Sequence, residues 1–198
     1  MVFQLSPTTL KMYRSCPFRY KCYTDPQIKY AYKRETPALT QGQLIHGVLN
    51  SYFKELPVEK RDFKSMKDLY RTKFLANKEK HLRIFKNQQT VNNYVLQAQK
   101  QFNNFLKNDL SKTEPFEATE KLFECQLEDI KLAAKIDRID QEKDGLHIID
   151  YKTGKLREEE PDSLQLNFYA YMATAKYQKN IVKKSYFYLL YGKIINVP

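Results

Sequence analysis

The chain of 198 residues carries 34 Lys and Arg against 23 Asp and Glu, a formal net charge of +11. That length allows one compact domain with its own core, and the cationic surplus favours a polyanionic partner such as nucleic acid, with plain solubility as the alternative. No run approaches the ~20 apolar residues of a membrane span; the opening MVFQLSPTTLKMYRSC lacks a secretory apolar core, and three cysteines, an odd number, argue against a disulfide framework and for a reducing cytoplasm.

In chain order, Ser6-Pro7 has the form of an N-cap followed by proline in the first helical turn. Leu10, Met12 and Tyr13 then predict a short helix ending or kinking near Pro17. The aromatic and basic CPFRYKCY follows, and a polar stretch runs to Pro37. A second helix is expected from about Thr40, with Leu44, Val48, Leu49, Tyr52 and Phe53 on one face. From about Asp62 to Leu110 the period stays helical and predicts two or three helices. Near Pro115 the period changes. Phe123, Cys125 and Leu127 alternate with polar residues, Leu132, Ala134 and Ile136 alternate after a turn near Asp129, and Glu142 to Gly145 reads as a hairpin turn into a strand from Leu146 to Lys152. After the acidic REEEPD, Leu164 to Tyr177 reads as a helix, and SYFYLLYGKIINV as one strand or a hairpin. Helices followed by β-β-β-α-β define a mixed α/β core with an N-terminal helical layer.

The strand LHIIDYK runs from apolar residues into two charges. Residues two apart share a strand face, so Asp150 and Lys152 stand side by side while Ile149 and Tyr151 face the other way. On the preceding strand, Asp137 sits among apolar residues, and the hairpin brings it near the same place. Two aspartates on adjacent strands can share a hard divalent cation through oxygen ligands. A lysine beside them can orient an attacking water and offset charge building on a phosphoryl group. The bland alternative is an exposed ion pair worth about 0–1 kcal/mol.

KIDRID, followed by IIDYKTGK and QLNFYAY, resembles the PD-(D/E)XK nuclease superfamily, specifically its RecB-like branch, which includes CRISPR-adaptation exonucleases and the nuclease domains of double-strand-break repair complexes. Upstream, GQLIHGVLNSYF is similar to that branch's histidine-bearing helix and LSPTTLKMYRSCPFRY to its opening helix, so the resemblance spans nearly the whole chain in the family's order. It implies a restriction-endonuclease-like core, a central mixed sheet flanked by helices, as a single nuclease domain over residues 1–198 with a helical region at about 62–110.

The resemblance also implies roles. His46, Asp137 and Asp150 would be metal ligands for Mg²⁺ or Mn²⁺, joined by the backbone carbonyl of Tyr151, which stands where the family's usual acidic residue would be. Lys152 would be the catalytic lysine. Gln165 and Tyr169 match a Gln-x-x-x-Tyr helix whose one face supports the site or contacts the DNA backbone. Glu120 falls where relatives often carry an acid on the first strand. His81 and His147 read as structural, and Arg138 and Lys155 as phosphate contacts or ordinary basic surface. Many relatives hold a four-iron cluster with one N-terminal and three C-terminal cysteines. Cys16 fits the first position but no later triplet follows, so no cluster is expected in this chain; a cluster-free subgroup and a missing C-terminal segment both remain open. The expected activity is metal-dependent DNA hydrolysis with little sequence readout, by an exonuclease on DNA ends in repair, recombination or defence. The rival is a catalytically inactive nucleic-acid-binding or assembly subunit that keeps the fold.

Overall fold

The computed structural model describes residues 3–32, 34–156 and 163–198, and their side chains except those of 3, 31, 32 and 117–121. REEEPD and the Glu120 side chain therefore lie outside the described residues.

Proline punctuates the N-terminal layer by starting helices. Pro7, Pro17, Pro26 and Pro37 each open one: α1 (Pro7–Ser15), α2 (Pro17–Thr24), α3 (Pro26–Tyr32) and α4 (Pro37–Lys54). A missing N–H is no loss in the first turn, where that donor has no intrahelical partner. The residue before each proline supplies the cap. Ser6 Oγ accepts the Thr9 N–H, Cys16 Sγ that of Arg19, Asp25 Oδ1 that of Gln27, and Thr36 Oγ1 that of Leu39. The break foreseen near Pro17 is present, but CPFRYKCY and much of the polar stretch after it are helical, and the helix foreseen from Thr40 starts at Pro37. The region after Asp62 resolves into α5 (Phe63–Leu75), α6 (Lys78–Phe85) and α7 (Gln88–Leu106).

The sheet is built from β1 (Phe3–Leu5), β2 (Glu117–Leu127), β3 (Ile130–Glu142), β4 (Gly145–Lys152), β5 (Ile181–Tyr188) and β6 (Lys193–Asn196), with α8 (Ser163–Tyr177) between β4 and β5. Its order is β1-β3-β4-β5-β6, and β2 lines the other edge of β3. The β3–β4 and β5–β6 hairpins are antiparallel, whereas β4 and β5 run parallel and so need the α8 crossover. This is the mixed α/β architecture expected. The chain end is a hairpin. Gly145 begins β4 where a Cβ would fall 2.3 Å from the Asn180 carbonyl oxygen, so only glycine fits that approach.

Each face of the sheet is covered, which is why β4 is buried from Gly145 to Tyr151. On one side Ile45, Leu49 and Tyr52 of α4 and Phe102 and Phe105 of α7 pack on Ile149, Tyr151 and Phe187. On the other, Leu166, Met172 and Ala173 of α8 pack on Ile136, Ile139, Ile148 and Tyr186. Asp150 and Lys152 continue the Leu146–Ile148 row, toward α8.

β3 does not alternate cleanly. Ile136 and Ile139 both face α8, while Arg138 between them lies over the Phe53 ring at 4.8 Å on the α4 side. The slip coincides with a register shift in β2 between Ala118 and Lys121, where two residues stand opposite Asp137. A bulge of this kind bends a strand and re-aims a side chain. β1 and β4 occupy the same edge of β3, pairing at Ile130–Leu132 and Arg138–Glu142, which leaves residues 133–137 on that edge without a paired strand among the described residues.

Candidate active site

Asp137, the β3 residue opposite the β2 bulge, reaches across the unpaired edge. Continuing the β3–β4 ladder one step past Arg138–Ile149 would set Asp137 opposite Asp150. Instead the strands part, and the backbone N–H of Tyr151 donates to Asp137 Oδ2 at 2.9 Å. The other carboxylate oxygen, Oδ1, meets His46 Nδ1 of α4 at 3.0 Å. His46 thus comes from one helical layer, Asp137 from β3 opposite the bulge and Asp150 from the tip of β4.

On the α8 side, Lys152 Nζ lies 2.7 Å from Asp150 Oδ2 and donates to Gln165 Oε1 at 2.7 Å. Gln165 Nε2 in turn donates to Asp150 Oδ1 at 2.8 Å and to the Tyr169 hydroxyl at 2.7 Å. The i, i+4 spacing of Gln165 and Tyr169 puts both on the helix face that meets β4. Lys152 Nζ also rests 4.5 Å above the Tyr186 ring, whose face holds the ammonium in place. The Tyr151 ring packs on Phe105 at 6.0 Å and Phe187 at 6.2 Å and backs the His46 imidazole edge-on at 6.4 Å, while its main chain faces Asp137.

Asp150 is 4 % exposed. Burial, and next the charge of Asp137, push its carboxyl up to about 6, against the pull of Lys152 and His46. Its Oδ2 is buried and makes no well-formed hydrogen bond, leaving the ion pair to Lys152. A buried ion pair is a poor way to gain stability, because desolvation offsets the attraction. An acceptor held without a matching donor is suited to a cation. Among the described residues no three His, Cys, Asp or Glu side chains are gathered into a ready-made cage. The donor set nevertheless fits a hard divalent metal, with two carboxylates, one imidazole and a main-chain carbonyl as ligand types. Asp150 supplies the under-used oxygen.

The site residues expected from the sequence, His46, Asp137, Asp150, Tyr151, Lys152, Gln165 and Tyr169, are all brought to this one place. Arg138 is not a phosphate contact. It is fully buried, donating to Asp140 Oδ1 at 2.6 Å, to the Leu110 carbonyl at 2.6 Å and to Thr113 at 2.8 and 3.0 Å. Lys155 is exposed. His147 donates or accepts at Ser185 Oγ, 2.8 Å away, and its pKa is pushed down to about 4 by burial and by the charges of Lys183 and Arg138. His81 bonds the Phe74 carbonyl at 2.7 Å. Both are structural, as expected. Gln101 was missed: it is buried on α7 and donates to the Thr153 carbonyl at 3.0 Å, fixing the turn that follows Lys152. Its signal was a glutamine inside the apolar stripe Ala98–Phe102–Phe105.

A mixed sheet covered by helices, with carboxylates and a lysine meeting where two strands part, defines the restriction-endonuclease-like class of α/β protein. The family model of the PD-(D/E)XK nuclease superfamily matches residues 4–194, and the chain belongs to that superfamily. None of the curated proteins compared matches it. Members of the superfamily are nuclease-type hydrolases that generally use divalent metals. No helix among the described residues is long and apolar enough to cross a membrane.

Proposed function

We propose that the chain is a Mg²⁺- or Mn²⁺-dependent deoxyribonuclease of the RecB-like branch, acting as an exonuclease on DNA ends in cytoplasmic repair, recombination or defence. Residues 1–198 would serve as one nuclease domain. The observation that carries the reading is the Lys152–Asp150–Gln165 cluster at the tip of β4, facing Asp137 and His46 across the parted strands. His46, Asp137, Asp150 and the Tyr151 carbonyl would hold the metal, which supplies Lewis-acid polarisation of a phosphate oxygen.

The chain's own residues do the rest. Lys152, held by Gln165 and Asp150, keeps a positive charge where negative charge accumulates on the phosphoryl group and orients the attacking water. Gln165 fixes Lys152 and Asp150 together, so that neither must reorganise during the reaction. Tyr169 backs Gln165; its hydroxyl is held protonated, burial and the charge of Asp150 raising its pKa. The net charge of +11 favours the DNA backbone without selecting a sequence. The order of motifs along the chain supports the RecB-like branch, and with it the preference for ends.

The test is digestion of end-labelled linear DNA and of circular DNA with Mg²⁺, Mn²⁺ or EDTA. Metal-dependent release of nucleotides from linear DNA alone is expected. Cutting of circles with equal speed would replace the exonuclease by an endonuclease, and no cutting in either metal would sink the enzymatic reading.

A further inference from the structure

A groove of about 810 Å³ lies in the N-terminal layer, bounded by Met12 of α1, Arg19 and Tyr23 of α2, Lys29 of α3, Arg34 before α4 and Leu39 on it. Three of these side chains are cations, and no carboxylate lines the groove among the described residues. The nearby acids are engaged elsewhere: Asp25 caps α3 through Gln27 and Ile28, and Glu35 pairs with Lys80 at 2.7 Å. Lys29 Nζ sits 5.1 Å from the Tyr23 ring centre, setting a charge beside a half-exposed aromatic face. The same helices expose Phe18 and Tyr30, at 74 % and 77 %. Aromatic rings that turn to water beside cations are costly as core and useful for stacking bases.

The groove is also aimed. Leu39 on its wall and His46 in the site are seven residues apart on α4, which returns them to one stripe about 10 Å apart along the axis. Between them lies Gly42, whose absent Cβ would stand 3.3 Å from Thr153 Oγ1, the residue after Lys152. The stripe therefore runs from the groove past the tip of β4 to the metal-ligand candidates. At the other wall, α1 packs on α8, which carries Gln165.

We propose that this groove binds an unpaired DNA strand, stacking a base on Tyr23 and holding its phosphates with Arg19, Lys29 and Arg34, and leads that strand to the site. This rests on the nuclease reading for its substrate. A concave, part-apolar groove suits single strands, whose bases are free to stack; a duplex offers only its charged exterior. The distance of about 10 Å corresponds to roughly three nucleotides at a stacked rise of 3.4 Å.

Binding of a fluorescent oligothymidylate, and of a duplex of equal length, is measured in EDTA for the wild type, Tyr23→Ala and the double variant Arg19→Glu, Lys29→Glu. Each variant is checked for an unchanged melting temperature and oligomeric state. We expect single-strand affinity to fall about tenfold or more, duplex affinity to change less, and Mn²⁺-dependent cutting to show a raised KM with kcat kept. Wild-type Cys22, which lines the groove, should become protected from maleimide by the oligonucleotide while Cys125 does not. Variants that bind and cut like the wild type would overturn the groove and leave the nuclease standing. Variants that change oligomeric state instead would assign this face to a second copy of the chain. Oligothymidylate bound through Tyr23 and Cys22 by a wild type that cuts nothing would keep the groove and sink the nuclease.

Discussion

Asp137 Oδ2 accepts the backbone N–H of Tyr151 at 2.9 Å, so β3 is tied to the tip of β4 by a carboxylate and not by the ladder. Asp137 is thus both a ligand candidate and a structural clasp. Asp137→Ala should lower stability by about 1–3 kcal/mol, the cost of leaving a buried donor unmet, and abolish cutting. Asp137→Asn keeps an acceptor oxygen and should retain most of the stability while still losing activity. Thermal melts beside Mn²⁺ digestion separate the two effects; equal melting losses in both variants would remove the clasp.

Lys152 and Asp150 are cleaner probes of chemistry. Lys152→Ala and Asp150→Asn should each reduce cutting by at least about 10²-fold, the scale of losing one stabilising group in the transition state. Circular dichroism should show the fold intact. Asp150→Asn should in addition lose Mn²⁺ binding by calorimetry, whereas Lys152→Ala should keep it.

Gln165 makes three contacts with one amide, to Lys152, Asp150 and Tyr169. Gln165→Ala should lower kcat by about 10–10²-fold with little change in KM, because it orients groups that react and does not bind substrate uniformly. Tyr169→Phe, which removes only the backing hydroxyl, should be milder. A pure KM effect in Gln165→Ala would move this residue from positioning to DNA contact.

Two buried groups make metal-free stability depend on pH in opposite directions over one window. Asp150 has a raised pKa, so its contribution is present below its ordinary value of 3.8 and is lost as pH rises through about 6. His147 has a lowered pKa, so its contribution is present above 6.5 and is lost as pH falls through about 4. The two slopes between pH 4 and 6.5 therefore oppose each other, and removing either group should unmask the other. Asp150→Asn should steepen its fall toward acid, and at pH 7 should melt above the wild type in EDTA. Metal binding needs the ionised carboxylate, so Mn²⁺ stabilisation of the wild type should grow from pH 5 to 7. Parallel curves for wild type and Asp150→Asn in EDTA would refute the buried, strained carboxylate.

Arg138 predicts the opposite phenotype from a DNA contact. Arg138→Ala would leave Asp140 and the Leu110 and Thr113 carbonyls without their donor, so destabilisation of about 3–5 kcal/mol is expected. Lysine has a single terminal charge and cannot span those four bonds, so Arg138→Lys should rescue little. At a temperature where the variant stays folded, its DNA affinity should match the wild type in a filter-binding assay.

Much of this was readable from residues. The β3–β4 hairpin, α8, and the placement of Asp150 and Lys152 opposite Ile149 and Tyr151 follow from period-two and helical spacing alone. Convergence of His46 with Asp137, 91 residues apart, came through motif order; no local pattern could bring α4 to that strand. What stayed hidden has physical causes. Pro17, read only as a breaker, also starts a helix, because its cap lies in Cys16 before it. Arg138 looked like surface because that is the default for a basic residue, and the partners that bury it, Leu110 and Thr113, lie far upstream in the chain. Gln101 acts through a backbone carbonyl, and backbone acceptors leave no trace in composition.

The bulge has an evolutionary edge. β2 spends one more residue than β3 between Ala118 and Lys121, and Asp137 owes its aim to that surplus. Deleting Thr119 would regularise the pairing and remove the bulge opposite Asp137, a device that bends strands and re-aims side chains. Such a deletion alters no candidate ligand and no candidate catalytic side chain. It would nevertheless be a route by which a descendant of this chain keeps every motif and forgets its chemistry, which makes strand length, as much as residue identity, the thing to inspect before a look-alike is credited with nuclease activity.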